Sequence, residues 1–306
     1  MLSKNDIINE LGKGIGIYPF SPECIKENSI NLCASKNAWV QKTQTIFCCD
    51  TCYDADKRFS LTESESYSTK ITLKDGGSAF LRDSNGDGYI ILLPFSTTLI
   101  ETKEVLSLGN SIGGTYHSKV GLASKGIGHI GTMVGPNFSG DSLIAIHNTS
   151  EKLLSIKEGE SFVSVVFYYL NTPYSQSNPT VSGHTDKFTQ FGITLSEEEA
   201  HELNADWKKN FQDVCDKMQS SEQYQNYKKT IQRQKKRAYL QFFTWKNGLY
   251  VLLSVVFISL IYIGASYLDK KNGGSIWRDR FYNVGFSGGF IVLISAVFNL
   301  IKRNSK

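Results

Sequence analysis

The sequence predicts a mainly β soluble domain, a distorted barrel or jelly roll, followed by a long amphipathic helix and two transmembrane α-helices. Three observations predict this order. Short alternating runs separated by Gly, Asn, Asp and Ser turns occupy residues 1–172, as in antiparallel barrels and jelly rolls. Apolar residues then recur at three- and four-residue spacing from residue 196, as on one face of a helix. Two long runs without a charge follow.

The first predicted element is a short helix, Asn5–Leu11, which Ser3 is placed to cap and which Gly12 and Gly14 end. The opening residues are polar and contain no apolar signal segment. We therefore expect the N-terminal domain to stay in a bacterial cytosol. The clearest strands that follow are Ser66–Leu73, Tyr89–Leu93, Ser142–His147 and Ser161–Leu170.

Two motifs suggest a metal site but do not predict one. Asp83–Gly88 resembles the first half of an EF-hand loop, yet the position of its bidentate glutamate is Pro94. A tight hairpin turn is the better interpretation. Three of the six cysteines cluster as Cys48, Cys49 and Cys52, but a second ligand pair at a suitable spacing is missing. The sequence therefore predicts reduced thiols and no metal.

The helical region begins with a capping box, in which Ser196 is followed by Glu199. Leu203, Trp207, Phe211, Val214 and Met218 then form an apolar stripe. Two interpretations remain open for this stripe. It packs on its own β domain, or it forms a stalk that associates with other copies of the chain.

The two charge-free runs are Gly248–Tyr267 and Phe281–Ile301. Each is long enough for a hydrocarbon core of ~30 Å. Seven basic residues between Lys228 and Lys246 precede the first run with no acid among them, which favours a cytoplasmic flank. We expect both chain ends in the cytosol, an inner-membrane location, and domains spanning 1–195, 196–247 and 248–306.

The N-terminal two hundred residues carry a series of short motifs in a characteristic order. These are Met1-Leu2-Ser3, Asp6-Ile7, Ile17-Tyr18-Pro19-Phe20, Ser29-Ile30-Asn31-Leu32, and Leu93-Pro94 through Thr102, Glu104 and Leu106. In this order the motifs resemble the dCTP deaminase branch of the dUTPase superfamily. The resemblance implies a dUTPase-like fold and a homotrimer with nucleotide sites at the subunit interfaces.

Two departures from the family pattern affect the chemistry. Gly135 stands where the family has an Asp, and Ala145 stands where it has the glutamate that serves as general base. Neither residue can take a proton from water, and losing such a group typically costs on the order of 10²–10⁴ in rate. The sequence therefore predicts a pseudoenzyme. His147 lies on the same strand face as Ala145 and is a candidate substitute.

The ligand contacts of the family carry over only in part. Its phosphate-binding segment corresponds to residues 118–124, where Lys119 keeps a cation and Ser124 replaces an arginine. Its C-terminal lid corresponds to residues 187–192, after a linker rich in Gly, Ser and Pro. The predicted ligand-binding residues are Ser118, Lys119, Gly121, Ser124, Asn137, Phe138, His147, Lys187, Phe188 and Gln190. No cofactor is predicted.

These features lead to three hypotheses. The first is a nucleotide-sensing membrane effector of bacterial antiphage defence, because the architecture resembles two-transmembrane β-domain effectors of cyclic-oligonucleotide signalling. Its partners would be a nucleotide, either a cyclic oligonucleotide or a deoxynucleotide, the lipid bilayer and other copies of the chain, as a trimer or larger, with no nucleic-acid polymer. The second is a membrane-tethered dCTP deaminase or dUTP diphosphatase that uses His147 or Asp141. The third is a membrane anchor whose β domain recruits a protein.

Overall fold

The protein is described from a computed structural model, which covers residues 1–48, 69–83, 85–129, 131–175, 180–181, 188, 190–242, 245–274 and 276–284. The chain forms two compact units, Met1–Tyr227 and Lys228–Lys306. Cys49, Cys52, Lys187 and most of the second predicted span lie outside the described residues.

The first unit is mainly β, as predicted. Its strands are β1 Ile15–Tyr18, β2 Ser29–Val40, β3 Gln44–Cys48, β4 Thr69–Leu73, β5 Phe80–Arg82, β6 Gly88–Leu92, β7 Ser96–Leu108, β8 Ile112–Ser118, β9 Ile127–Gly128, β10 Met133–Val134, β11 Phe138–Asn148, β12 Leu154–Lys157, β13 Ser161–Tyr169 and β14 Thr180–Val181. Its first two helices are α1 Lys4–Glu10 and α2 Val120–Ala123, and a short 3-10 turn spans Pro22–Cys24.

One large sheet organises the unit, in the order β10-β8-β13-β2-β7-β11-β14, with β1 added on β7 and β9 on β11. A second sheet has the order β12-β6-β5, and β3 pairs with β4. The central pairs β13–β2, β2–β7 and β7–β11 are antiparallel. Because they are antiparallel, they position side chains from distant parts of the sequence in rows across the sheet.

Alternation along the strands directs one face into the main core. Val163, Val165 and Phe167 of β13 are fully buried at every second position, as a strand with one covered face requires. Ile144 and Ile146 of β11 belong to the same core. Burying each such side chain stabilises the fold by about 1.5–3 kcal/mol. The opposite face of β11 carries a different set of residues, which matters for the site.

Two local predictions are confirmed. The Ser3 hydroxyl accepts a hydrogen bond from the Asp6 backbone N–H, and the Asp6 carboxylate accepts one from the Ser3 backbone N–H, which caps α1. Between β5 and β6 the chain turns at Gly86, whose φ of 84° lies in the left-handed region, and Arg82 then pairs with Gly88. Asp83–Gly88 is therefore a hairpin turn, in which Asp83 accepts backbone hydrogen bonds.

The helical region starts at the predicted capping box but is not one long helix. Ser196 and Glu199 cap α3, Glu197–Leu203, and a 3-10 turn, Asp206–Lys209, and α4, Phe211–Ser220, follow. The Asn210 side chain accepts from the Gln212 backbone and starts α4, so the apolar stripe is divided among three short segments. Val214 and Met218 are fully buried against the β domain. Of the two interpretations left open, packing on its own domain is the one the structure shows for α4.

The next helices are α5 Glu222–Phe242, α6 Trp245–Asn272 and α7 Ile276–Val284. The first predicted span lies entirely within α6, where Leu252, Leu260 and Ile263 are each at least 60% exposed. Asp269 accepts hydrogen bonds from the backbone of Trp277 and Arg278 at 2.8 and 2.9 Å, which ties the start of α7 to the end of α6. Among the helices that the structure describes, none is both long and apolar enough to cross a membrane.

Candidate functional site

Ala145, where the sequence pattern predicts that a general base is missing, lies on a covered face of the sheet. In the register of β2, β7 and β11, Leu99 pairs with both Trp39 and Ala145. Paired residues share a face, so these three side chains form one row. Phe188, Ile193 and Leu203 pack over this row and form a hydrophobic cluster separate from the main core. We call this surface of β2, β7 and β11 the covered face.

The predicted lid residue Phe188 is part of this cover. Its ring lies 4.7 Å from that of Trp39, centroid to centroid, and both side chains are only 1% exposed. Ala145 packs against the same cluster. A methyl group in an apolar cluster therefore stands where the family pattern has a carboxylate.

The next row of the covered face is polar. Glu101 pairs with Leu143, one register step from Ala145, and accepts a hydrogen bond of 2.9 Å from the Asn37 amide. On the same strand as Leu143, Asp141 forms a 2.6 Å ion pair with Lys208 from the 3-10 turn above the sheet. Glu101 is 2% exposed and Asp141 is 4% exposed. Two acids and one cation are thus enclosed between the sheet and its cover.

Burial dominates the electrostatics of these acids. Burial and the charge of nearby Asp141 raise the pKa of Glu101, the Asn37 hydrogen bond and the Lys208 charge lower it, Glu202 adds a small repulsion, and the net pKa is about 8. Burial also raises the pKa of Asp141, and Lys208 partly offsets this. Glu101 is therefore a neutral acid near pH 7. A buried carboxyl with so high a pKa is a recognised mark of functional sites.

Sequence reasoning missed Glu101 as a site residue. The signal in the sequence is that Glu101 is charged, although the alternation of inward and outward side chains along β7 predicts a covered side chain at its position. The family motif places the expected catalytic position at Ala145 and therefore does not point to Glu101.

The phosphate-segment residues lie apart from the covered face. Lys119 caps α2 and its Nζ donates to the Ser161 hydroxyl at 3.0 Å. It lines a cleft of about 480 Å³ together with Glu104 and Cys33. Gly121 and Ser124 lie on the exposed surface of α2 and just after it.

Ser118 and His147 are brought close together. The Ser118 hydroxyl lies 2.7 Å from Nδ1 of His129 and accepts from the His129 backbone at 3.0 Å. His147 pairs with Gly128 in the β11–β9 ladder, and its Nδ1 lies 2.9 Å from the Thr97 hydroxyl. Because 128 and 129 are adjacent, the two predicted ligand residues flank one short strand. Burial lowers the pKa of His129, which keeps its ring neutral.

Asn137 and Phe138 occupy different surroundings. Asn137 has a φ of 59°, in the left-handed region, at the position where the family pattern has Gly. It lines a cleft of about 730 Å³ with Lys13, Tyr174 and Lys209. Phe138 packs against the main core, and Gln190 is exposed. A Cβ added at Gly135 would meet no atom within 4 Å, so that position has space for a larger side chain.

Within the part of the chain that the structure describes, the predicted ligand residues therefore fall into several places. They lie at the Lys119 cleft, the Ser118–His147 strand, the Asn137 cleft and the covered face. Among the residues that the structure describes, one chain does not bring them together into a single pocket.

Comparisons with known proteins identify the family to which the chain is related. A scan against models of protein families finds no match. The chain is 30% identical over 105 residues to a dCTP deaminase of Pyrococcus horikoshii, covering 33% of this chain and 67% of that protein. It is 25% identical over 171 residues to a dCTP deaminase of Caldivirga maquilingensis, covering 54% of this chain and 82% of that protein.

Among solved structures, the chain is similar to the 2'-deoxycytidine 5'-triphosphate deaminase of Agrobacterium tumefaciens. Its TM-score is 0.36 at 10% identity, covering 54% of this chain and 46% of that one. The EIAV dUTPase has a TM-score of 0.26 at 16% identity, covering 32% of this chain and 88% of that one.

The sequence relatives define the class, a dCTP deaminase/dUTPase-like domain. The chain belongs to the dCTP deaminase family. The family predicted from the short motifs is thus confirmed. Its relatives are named as enzymes, whereas this chain has Ala145 in the apolar cluster on the covered face.

Proposed function

We propose that the β domain binds a nucleotide without deaminating it and acts as a sensor. One observation carries this proposal: Ala145, at the position of the family's general base, lies in an apolar cluster under Phe188. Deamination requires a positioned group that takes a proton from water. An alanine methyl supplies none, and the cluster around it leaves that row of the face without a charged side chain.

The ligand would be held between copies of the chain. Lys119 in one cleft and Lys13 and Lys209 in another supply cations that suit phosphate groups. Their separation within one chain supports a site that a second copy completes, as in a homotrimer. A cyclic oligonucleotide, which carries phosphates at more than one place, matches such a divided set of cations better than a mononucleotide does.

Ligand binding is tested on the full chain in detergent by thermal unfolding with dCTP, dUTP, their monophosphates, and cyclic di- and trinucleotides. A ligand at about 100 times its dissociation constant adds about 2.7 kcal/mol of stability. Chromatography of the recovered nucleotide shows whether it has been converted. We expect stabilisation by one ligand that is recovered unchanged, and loss of that effect in Lys119→Ala but not in Lys152→Ala, which removes an exposed lysine elsewhere. Conversion of the ligand, or no stabilisation by any, contradicts the proposal.

The second unit would be the output of the sensor. The proposal is that it inserts in a bacterial inner membrane through the two charge-free runs, and that a change in ligand occupancy makes the membrane permeable as an antiphage defence. Its support is the absence of charge in Gly248–Tyr267 together with the exposed apolar side chains of α6. Dye entry into cells that express the full chain, compared with a chain ending at Tyr227, tests this. Unchanged membrane integrity under every nucleotide condition refutes it.

A second candidate function is favoured by Glu101. This neutral, buried acid lies one register step from Ala145, so it could take over proton transfer in a membrane-tethered deaminase or diphosphatase. The discriminating measurement is the release of ammonia or pyrophosphate from dCTP or dUTP. Turnover that is lost in Glu101→Gln and kept in His147→Gln would establish that the protein is an enzyme. It would also exclude the proposal that the protein binds a nucleotide without converting it.

A further inference from the structure

In the described part of the first unit, two cysteines that are nine residues apart in the sequence meet a buried carboxylate from a distant strand. Cys24 ends the short 3-10 turn, Cys33 lies on β2, and Glu104 lies on β7. One ligand atom of each lies within 4.8 Å of the others. We propose that Cys24, Cys33 and Glu104 bind a zinc ion, and that a fourth coordination position opens into the 480 Å³ cleft beside Lys119.

The spacing of the three atoms suits a single ion. Zinc binds thiolate sulfur at ~2.3 Å and carboxylate oxygen at ~2.0–2.2 Å, in a tetrahedral arrangement. Two ligands on opposite sides of such an ion are therefore at most about 4.5 Å apart, and closer at the tetrahedral angle. Ligand atoms within 4.8 Å of one another need only a small contraction to enclose the ion.

The donor set selects the kind of metal. The two sulfur ligands do not suit magnesium or calcium, because these ions bind oxygen ligands. Soft thiolates with one carboxylate suit zinc. Three protein ligands with one open position is the pattern of zinc sites that exchange a water or a ligand, whereas closed sites have four.

The fold holds the three side chains close to one another. The Cys24 and Cys33 sulfurs and a Glu104 carboxylate oxygen all lie within 4.8 Å of one another. The Glu104 carboxylate accepts a 2.7 Å hydrogen bond from the Cys33 backbone, which fixes its orientation toward the pair. Burial raises the pKa of Glu104. A divalent cation would offset the negative charge that these three groups acquire when they ionise.

The cleft gives the fourth position access to solvent. Lys26, Lys103, Lys119 and Ser161 line it together with the three proposed ligands. An ion held at its wall would therefore accept water or a small anion as the fourth ligand, and the lysines would favour an anion.

The test uses the full chain, purified in detergent under reducing conditions, stripped of metal and titrated with Co²⁺. Cobalt in a tetrahedral thiolate site produces intense visible bands and a sulfur-to-metal charge-transfer band, and Zn²⁺ displaces it. The variants are Cys24→Ser, Cys33→Ser and Glu104→Gln. The matched controls are Cys215→Ser, which changes a buried cysteine elsewhere, and a protein with Cys48, Cys49 and Cys52 all changed to Ser.

We expect one Zn²⁺ per chain by elemental analysis, and cobalt bands in the wild type and in both controls. The charge-transfer band should fall to background in Cys24→Ser and Cys33→Ser, and Glu104→Gln should weaken binding at least tenfold while keeping the band. Azide should shift the visible bands, because it enters the open position. Circular dichroism shows whether each variant remains folded.

Three outcomes overturn the proposal. They are no tetrahedral spectrum in the reduced wild type, a spectrum lost only in the Cys48/Cys49/Cys52 control, and an intact mass that shows a Cys24–Cys33 disulfide forming in place of metal binding. None of these measurements involves a nucleotide, so the metal site and the proposed sensor function succeed or fail separately.

Discussion

Replacing Glu101 by glutamine removes the buried acid of the covered face but keeps an oxygen that can accept the hydrogen bond from Asn37. The side chain also keeps its size, so packing against Leu143 and the cover is preserved. What changes is ionisation, because glutamine has none. The difference between variant and wild type therefore isolates the cost of charging Glu101 inside the protein.

The magnitude follows from the pKa. In the unfolded chain Glu101 has the ordinary pKa of 4.5, and burial raises it to about 8 in the fold. Each pKa unit corresponds to ~1.4 kcal/mol, so the shift amounts to on the order of 5 kcal/mol. Below about pH 4.5 both states hold the proton and nothing is lost. Between about pH 4.5 and about pH 8 the unfolded state releases its proton first, so folding stability falls, and above about pH 8 the loss is complete.

The assay is urea unfolding of the full chain in detergent at several pH values across this range. We expect Glu101→Gln to match the wild type near the acidic end and to be more stable by several kcal/mol above about pH 8. Glu151→Gln is the control, because Glu151 is an exposed carboxylate outside the site. If the stability curves of Glu101→Gln and the wild type run parallel across the range, as they should for Glu151→Gln, Glu101 is not a buried acid and the reasoning fails.

Three further predictions concern the cover and the clefts. Phe188→Ala should cost about 3–5 kcal/mol of unfolding free energy, because it opens a cavity beside Trp39, whereas a change below about 1 kcal/mol would show that the lid is not packed there. Lys208→Met leaves Asp141 without its cation, so it should cost about 3–5 kcal/mol at alkaline pH and less in acid, where Asp141 is protonated; a cost independent of pH would contradict the ion pair. Asn137→Val places a β-branched residue at positive φ and should cost about 1–2 kcal/mol of unfolding free energy, whereas Asn137→Gly should be tolerated. Equal stability of the two variants would contradict a left-handed conformation at this position.

Local signals in the sequence predicted the local structure well. Ser3 and Ser196 each precede an acid at the third position, and both form capping boxes, because a cap is decided by residues that are neighbours in the chain. The turn at Gly86 follows from the same local chemistry. The family was also predictable, because its motifs occur in order along the sequence.

The candidate site was harder to predict because it depends on contacts between distant residues. The sequence predicts the loss of a carboxylate at Ala145, but the cover that Phe188 and Leu203 place over it depends on contacts between residues far apart in the chain. Glu101 and Asp141 are forty residues apart and meet only through the register of β7 and β11. Cys24, Cys33 and Glu104 form no ligand motif that can be recognised in the sequence, and they meet only because β2 pairs with β7.

The covered face also determines how this protein can be shortened. The sequence suggests a domain boundary at residue 195, but Leu203 and Lys208 lie beyond it and protect Trp39, Leu99 and Asp141. A chain cut at 195 would expose an apolar strip on β2, β7 and β11 and leave a buried acid without its counterion. Such a fragment should aggregate during purification, whereas a chain ending at Tyr227 keeps its own cover and should remain monodisperse.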